Sequence, residues 1–297
     1  MTVQTTDFSI RDALVSDLRA CRMLMPDVFS AEHAPEMMVA FDASGALVGA
    51  ASVAWQAVGD PAAFPVSVHV VPDARRQGLG RALLDAIAAL VRGEAVSLQP
   101  WSVLREDSAA AAFCLATGFT VHHRVLHFLG EASEMEAMLA SYREKLDRAG
   151  WIPPGARVVK LPEAPPAEVA NLVSREFHGN PAALLARLHG VAGTPPDPDR
   201  SVVLLLDGVV VGAQLANIAA DGILEVDANV VIPNLRRGWA NLMLTHEGTR
   251  NSVLHGTKAF RFFCDDRVID TVNLARRSGA ERVAVDLVLR RAVGVDR

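Results

Sequence analysis

The chain has 297 residues, of which 51% are hydrophobic and 21% charged, with a formal net charge of −5. Such a composition builds real cores rather than a disordered chain, and at roughly 100–200 residues per domain the length predicts two of them. The acidic balance argues against a nucleic-acid or membrane-surface partner, which a basic field would serve, and favours a cationic or amine-bearing one.

In chain order, the alternation of FSIRDAL (8–14) predicts a short strand, and Ser16 is expected to cap a helix running to Phe29. Residues 37–55 predict two strands joined at Asp-Ala-Ser-Gly, with Gly45 free to take positive φ. FPVSVHVVP (64–72) predicts a fourth strand, and the helix from Gly78 to about Glu94 puts Leu79, Leu83, Ile87, Leu90 and Val91 on one face. A strand (95–101), a small-residue helix (108–119) stopped by Gly118 and a strand (120–130) complete the first half.

Residues 131–149 predict a connector helix with Met135, Leu139, Tyr142 and Leu146 on one side, broken by GWIPPG. The second half repeats the order: a strand at 156–161, helices near 166–177 and 181–190, a hairpin over 201–218 turning at Asp207-Gly208, and a strand at 222–233. A helix from Trp239, a strand at 258–266, a helix at 270–280 and a last strand at 282–291 follow. This is an internal duplication with a period of about half the chain. The expected boundaries are 1–130, a connector over 131–155, and 156–297.

Three cysteines, Cys21, Cys114 and Cys264, with no CxxC spacing, make neither a disulfide framework nor a zinc site, so no metal is expected. They fit a reducing compartment. The N-terminus shows no basic segment followed by an apolar one, and no apolar run approaches the roughly 20 residues that span a bilayer. A cytoplasmic protein is expected.

The most specific stretch is VVPDARRQGLG, residues 70–80, between a strand and a helix. Such a turn aims several backbone N–H groups at one spot, and the helix N-terminus adds about half a positive charge there. Gly78 and Gly80 lack Cβ atoms, so a pyrophosphate is expected to approach the backbone, with Arg75, Arg76 and Arg81 supplying charge around it. The turn lacks the Lys-Ser/Thr of a P-loop and the G-x-G-x-x-G of a dinucleotide fold.

Arg75-x-x-Gly78-x-Gly80, preceded by Val70-Val71-Pro72, resembles the acyl-CoA signature of the GNAT N-acetyltransferase superfamily, Gln/Arg-x-x-Gly-x-Gly/Ala. AAAAFCLATGF resembles that family's late helix, and both halves follow its element order. The resemblance implies an α/β fold of two tandem GNAT-like domains, each a mixed, mostly antiparallel sheet flanked by helices. It implies acetyl-CoA as co-substrate, held by Val70, Val71, Arg75, Arg76, Gln77, Gly78, Leu79, Gly80 and Arg81, and an acetyl group moved to the amine of a small molecule. In the second half Gly238-x-Ala240 matches the last two motif positions. The residue three before Gly238 is Leu235, the segment from Pro233 is one residue shorter, Trp239 opens the helix, and Arg236 and Arg237 are the compensating charges. Coenzyme binding by this half is left open.

Members of the family often use a carboxylate on the fourth strand as base and a tyrosine on the late helix as acid. That tyrosine position falls on Cys114, and the single tyrosine of the chain, Tyr142, lies on the connector. A thiol can donate a proton, although a buried Cys is more often a small hydrophobe. Strict alternation places Glu225, Asp227, Asn229 and Val231 on one face of the second fourth strand. Two readings stand for the row: Glu225 and Asp227 as base or amine-binding carboxylates, or structural groups paired with arginines such as Arg261. His69 is a further candidate base on the face opposite Val70, His122, His123 and His127 show no metal-like clustering, and His246 and Glu247 read as a solvated helix face. A non-catalytic acyl-CoA sensor and a protein or peptide N-acetyltransferase are the rival functions. Oligomeric state is not written in the sequence.

Overall fold

The computed structural model describes residues 3–5 (backbone only), 8–26, 36–54, 63–93, 97–177, 179–236 and 238–294. The expected helix end at Phe29, the hairpin end at Trp55, the element ends at 94–96, and Arg237 lie outside them. The chain divides into two compact units: residues 1–124 with 286–297, and residues 125–285. These units differ from the halves of the sequence repeat.

The strands are β1 (Val3–Thr5), β2 (Phe8–Asp12), β3 (Glu36–Asp42), β4 (Leu47–Val53), β5 (Ala63–Val70), β6 (Ser97–Pro100), β7 (Leu104–Arg105) and β8 (Thr120–Glu131), then β9 (Ala156–Lys160), β10 (Val202–Leu206), β11 (Val209–Ile218), β12 (Leu224–Val231), β13 (Ala259–Asp265) and β14 (Glu281–Ala292). The helices are α1 (Leu18–Leu24), α2 (Leu79–Leu90), α3 (Ala109–Ala116), α4 (Ala132–Arg148), α5 (Pro166–Glu176), α6 (Pro181–Leu188), α7 (Trp239–Leu254) and α8 (Ile269–Arg277). Among the described residues no helix is long and apolar enough to cross a membrane. The sequence pattern misses β1 and β7, which are too short to show a period. Ser16 caps nothing: it sits in the 3-10 turn Val15–Asp17, which the Asp17 carboxylate ties by accepting from the Leu14 N–H at 2.8 Å.

In the first unit the sheet runs β1-β2-β3-β4-β5-β6 and then the end of β14. Its pairs are antiparallel except β5–β6, and β14 meets β6 through Arg291↔Leu98 and Ala292↔Ser97. Helix α2 buries Leu79, Leu83 and Ile87 against one face, because the 3.6-residue period lines them up. Helix α1 packs Cys21 and Met25 on the other face, against Met37, Val39 and Ala50.

In the second unit the sheet runs from the end of β8 through β13-β12-β11-β10-β9, and β12–β13 is its parallel pair. Helices α5 and α6 cover one face through Val169, Leu172, Val173, Leu184 and Leu188. Helices α7 and α4 cover the other through Ala240, Met243, Leu244, Met135 and Leu139. In both units, therefore, the strand beside β6 or β13 is supplied by the other half of the sequence.

Candidate active site

In each unit the parallel pair holds together only at its start and then splits. In the first, β5 pairs β6 from Ala63↔Ser97 to Val66↔Pro100, after which Ser67–Val70 run on without a β6 partner. The last contact is Trp101 N–H to the Val66 carbonyl, 2.8 Å. On the other edge the Ala54 N–H reaches Pro65 O and the Val71 N–H reaches Val48 O. Backbone polar groups alternate along a strand, so odd residues face β4 and even ones face the gap. The Val68 N–H and C=O and the Val70 N–H thus line an open strand edge. Val71, expected among the coenzyme contacts, spends its N–H on β4.

At the mouth of this gap, Arg76 (φ 65°) and Gly78 (φ +84°) take left-handed conformations that reverse the chain into α2. No side chain caps α2, whereas Ser108 Oγ accepts from the Ala111 N–H of α3 and Asn180 Oδ1 from the Ala182 N–H of α6. The first helical bond is Ala82 N–H to Gly78 O, 3.1 Å, leaving the N–H groups of Leu79, Gly80 and Arg81 without a helical partner. They add to the helix dipole as an anion site.

A Cβ at Gly78 would meet nothing within 4 Å, so the space beside it is free for a ligand. Gly80 is different. A Cβ there would lie 3.2 Å from Phe113 Cε2 and 3.7 Å from Val70 Cγ2, so this glycine lets α3 pack against α2 rather than clearing ligand space. The arginines also divide their work. Arg75 Nε donates to Val70 O at 2.9 Å, Arg81 donates to Ala116 O at the end of α3 at 2.7 Å, and Gln77 Nε2 donates to Asp73 O at 3.1 Å. These bonds shape the turn, while the Arg76 guanidinium makes no hydrogen bond or ion pair among the described residues.

On the α1 side of the same strand, Ala50 pairs with His69 and Ser52 with Ser67. Ala50 packs under Cys21, so His69 and Ser67 face that side, near Trp101. His69 is half-buried. Burial and the charge of Arg75 lower its pKa below the usual histidine value. Cys114 is buried, and burial pushes its thiol up to about 11.

The second unit repeats the plan with two changes. Its turn keeps the bond that marks the motif's first position: Arg236 Nε donates to Val231 O at 3.1 Å, as Arg75 does to Val70. Arg236, not Leu235, is therefore the counterpart of Arg75, and the missing residue lies between this arginine and the glycine. Gly238 consequently has φ 140° and ψ −144° instead of the left-handed turn at Gly78. Arg236 is also ion-paired with Glu176 at the end of α5.

The second change is a bulge. Ala228 pairs with Leu215 and Val226 with Ala216, so Asp227 has no cross-strand partner. Side-chain facing switches there. Leu224 and Val226 pack on the α4/α7 side, while Ala228 and Val230 pack under α5 and α6. The expected single polar row is broken. Asp227 faces α6, where it is ion-paired with Arg187 and accepts from Asn217 Nδ2 at 2.6 Å. Asn229 faces α7 and donates to Thr245 Oγ1 at 3.1 Å. Glu225 stands where β12 and β13 part, opposite Arg261, which donates to it at 3.1 Å and to Asp221 at 2.7 Å. Counting back from Val231 and from Val70 with the bulged residue left out, its counterpart in the first unit is Pro65. His246, expected on a solvated face, is buried, with Glu136 Oε1 3.6 Å from Nε2 and Glu247 Oε1 3.9 Å from Nδ1.

Each unit is thus a split strand pair with a helix N-terminus at its mouth, an arrangement suited to a ligand with an anionic end and amide groups along its body. Residues 33–121 match the family described as Acetyltransferase (GNAT) domain. No curated protein matches this chain by sequence. Among solved structures, a GCN5-related N-acetyltransferase from Sphaerobacter thermophilus is similar at 18% identity over 98% of both chains, with a TM-score of 0.55. A tandem GNAT protein from the clavulanic acid biosynthesis pathway is similar at 16% identity over 98% of this chain and 100% of that one, with a TM-score of 0.55. A GCN5-related N-acetyltransferase from Kribbella flavida shares 13% identity over 97% of this chain and 72% of that one, with a TM-score of 0.57. At these identities the structures speak for the fold alone, and the domain match places a GNAT acetyltransferase domain over residues 33–121.

Proposed function

We propose that the protein moves the acetyl group of acetyl-CoA to the primary amine of a small molecule, with the coenzyme held by the first unit. The observation that carries this is the uncapped, left-handed turn at Gly78 beside the open edge of β5. The diphosphate would take the amides of residues 76–81, with Arg76 as the uncommitted charge. The amides of the pantetheine arm would pair with the Val68 and Val70 backbone as an added strand. The coenzyme supplies a thioester; the chain supplies binding, orientation and a proton acceptor. In the second unit, Glu225 and Asp227 are proposed as carboxylates that hold a cationic amine.

Calorimetry with acetyl-CoA, followed by an amine panel with thiol release as the readout, tests this. Saturable binding and turnover are expected. Binding without turnover would favour the sensor, and no binding would remove the proposal. Glu225→Gln and Asp227→Asn should each lower turnover more than tenfold; unchanged turnover takes those carboxylates out of the mechanism.

A further inference from the structure

Resting on the first unit as the coenzyme site, we propose that His69 is the catalytic base of that unit, taking the proton of the acceptor amine on the α1 side of the split strand pair. The strand lining the coenzyme gap has one ionisable side chain. Phe64, Val66, Val68 and Val70 alternate with Pro65, Ser67 and His69, and the place that Glu225 holds in the second unit is Pro65 here. His69 lies between Val68 and Val70, whose backbone groups line the open edge. Its cross-strand neighbour is Ala50, which leaves room over the ring. Among the described residues the imidazole makes no hydrogen bond or ion pair, so it is not a structural histidine held by the sheet.

The groups facing this patch are few. Arg75 reaches it from the turn and favours the neutral ring. Cys21 of α1 packs over Ala50, with its own thiol raised mainly by burial. Ser52 and Ser67 on the same face are uncharged. Arg11 and Asp17 lie further along that face and are paired with each other at 2.7 Å. A neutral imidazole at physiological pH is the form a base requires. As the amine nitrogen bonds to the thioester carbonyl carbon, the C–S bond breaks and its electron pair leaves with sulfur. His69 takes one N–H proton and becomes imidazolium. The departing thiolate recovers that proton through solvent, and the products are the amide and the free thiol.

The test is the pH dependence of kcat/KM with acetyl-CoA and a reactive amine, alongside the His69 titration followed by NMR in the intact protein. The wild-type acid limb is expected below pH 6.5 and at the His69 pKa. His69→Gln should lose the limb and at least 100-fold in kcat, with acetyl-CoA affinity within twofold. A limb that does not coincide with the His69 titration, or kcat within threefold in His69→Gln, overturns the assignment. If His69→Gln fails to fold, the wild-type comparison of limb and titration decides alone. Failure of the coenzyme reading looks different: the wild-type protein itself would not bind acetyl-CoA.

Discussion

Two glycines two residues apart do different jobs, and substitution should separate them. Gly78 needs its left-handed φ, so Gly78→Ala should cost about 1–2 kcal/mol in stability and weaken acetyl-CoA binding at least tenfold, read by thermal melting and calorimetry. Gly80 lies in a helix against Phe113. Gly80→Ala gains about 0.5–1 kcal/mol of helix propensity and loses a similar amount to the ring contact, so its stability should change little and its coenzyme affinity less than threefold. Cys114 carries a different expectation. Burial raises the pKas of both Cys114 and Cys264 to about 11, so the folded state holds their protons where the unfolded chain has released them. Their contribution to stability is complete below about pH 8.5, the ordinary thiol value, and is lost as pH rises toward 11. Urea titrations from pH 8 to 11 should show that decline, and Cys114→Ala should flatten part of it while keeping kcat within threefold.

At the scale of elements, one residue gained and one residue lost distinguish the two units. The extra residue in β12 lets Asp227 and Ala228 share a face, which keeps Val226 with α4 and α7 while Ala228 and Val230 lie under α5 and α6. Deleting Asp227 would restore strict alternation with every neighbour keeping its face, Val226 with α4 and α7 and Glu225 and Ala228 under α5 and α6, so only the contacts of Asp227 with Arg187 and Asn217 are lost. Circular dichroism should show cooperative unfolding kept in the deletion as in Asp227→Asn; its loss in the deletion alone would show that the second unit needs the bulge. The residue missing between Arg236 and Gly238 costs the turn its left-handed corner. Glu176→Gln alone should therefore leave one acetyl-CoA per chain by calorimetry. The same change with one residue inserted before Gly238 should raise the stoichiometry toward two.

At the scale of the molecule, the units are not the halves of the sequence. The first unit is completed by the chain's last segment, which buries Leu287 and Leu289, pairs with β6 and β7, and joins Arg291 to Asp85 at 2.7 Å. Leu289→Ala should cost about 2–5 kcal/mol, the range for a fully buried leucine. A chain ending at Val285 should lose acetyl-CoA binding although every residue of the turn remains. Retained binding by that truncated chain would show that the first unit stands without its last strand.

The sequence by itself determined what local physics controls. The positive-φ corners at Gly45, Gly118 and the Asp207-Gly208 hairpin were legible because few residues tolerate that backbone, whereas Gly78 was legible only as a missing Cβ and its left-handed φ was not. The helices α2, α4 and α7 were legible from their period or from the turns that open them. Tertiary structure decided what neighbours control. The face of Asn229 follows from a bulge that alternation alone cannot announce. The reason for Gly80 is a phenylalanine 33 residues away, and Arg236 was identified as the counterpart of Arg75 only by the carbonyl it reaches. His246 is buried because α4 packs over α7, and each unit closes with a strand from the other half of the chain. Backbone strain and periodicity act over a few residues and are written in order along the chain; packing acts between residues far apart in it, and exists only once the chain has folded.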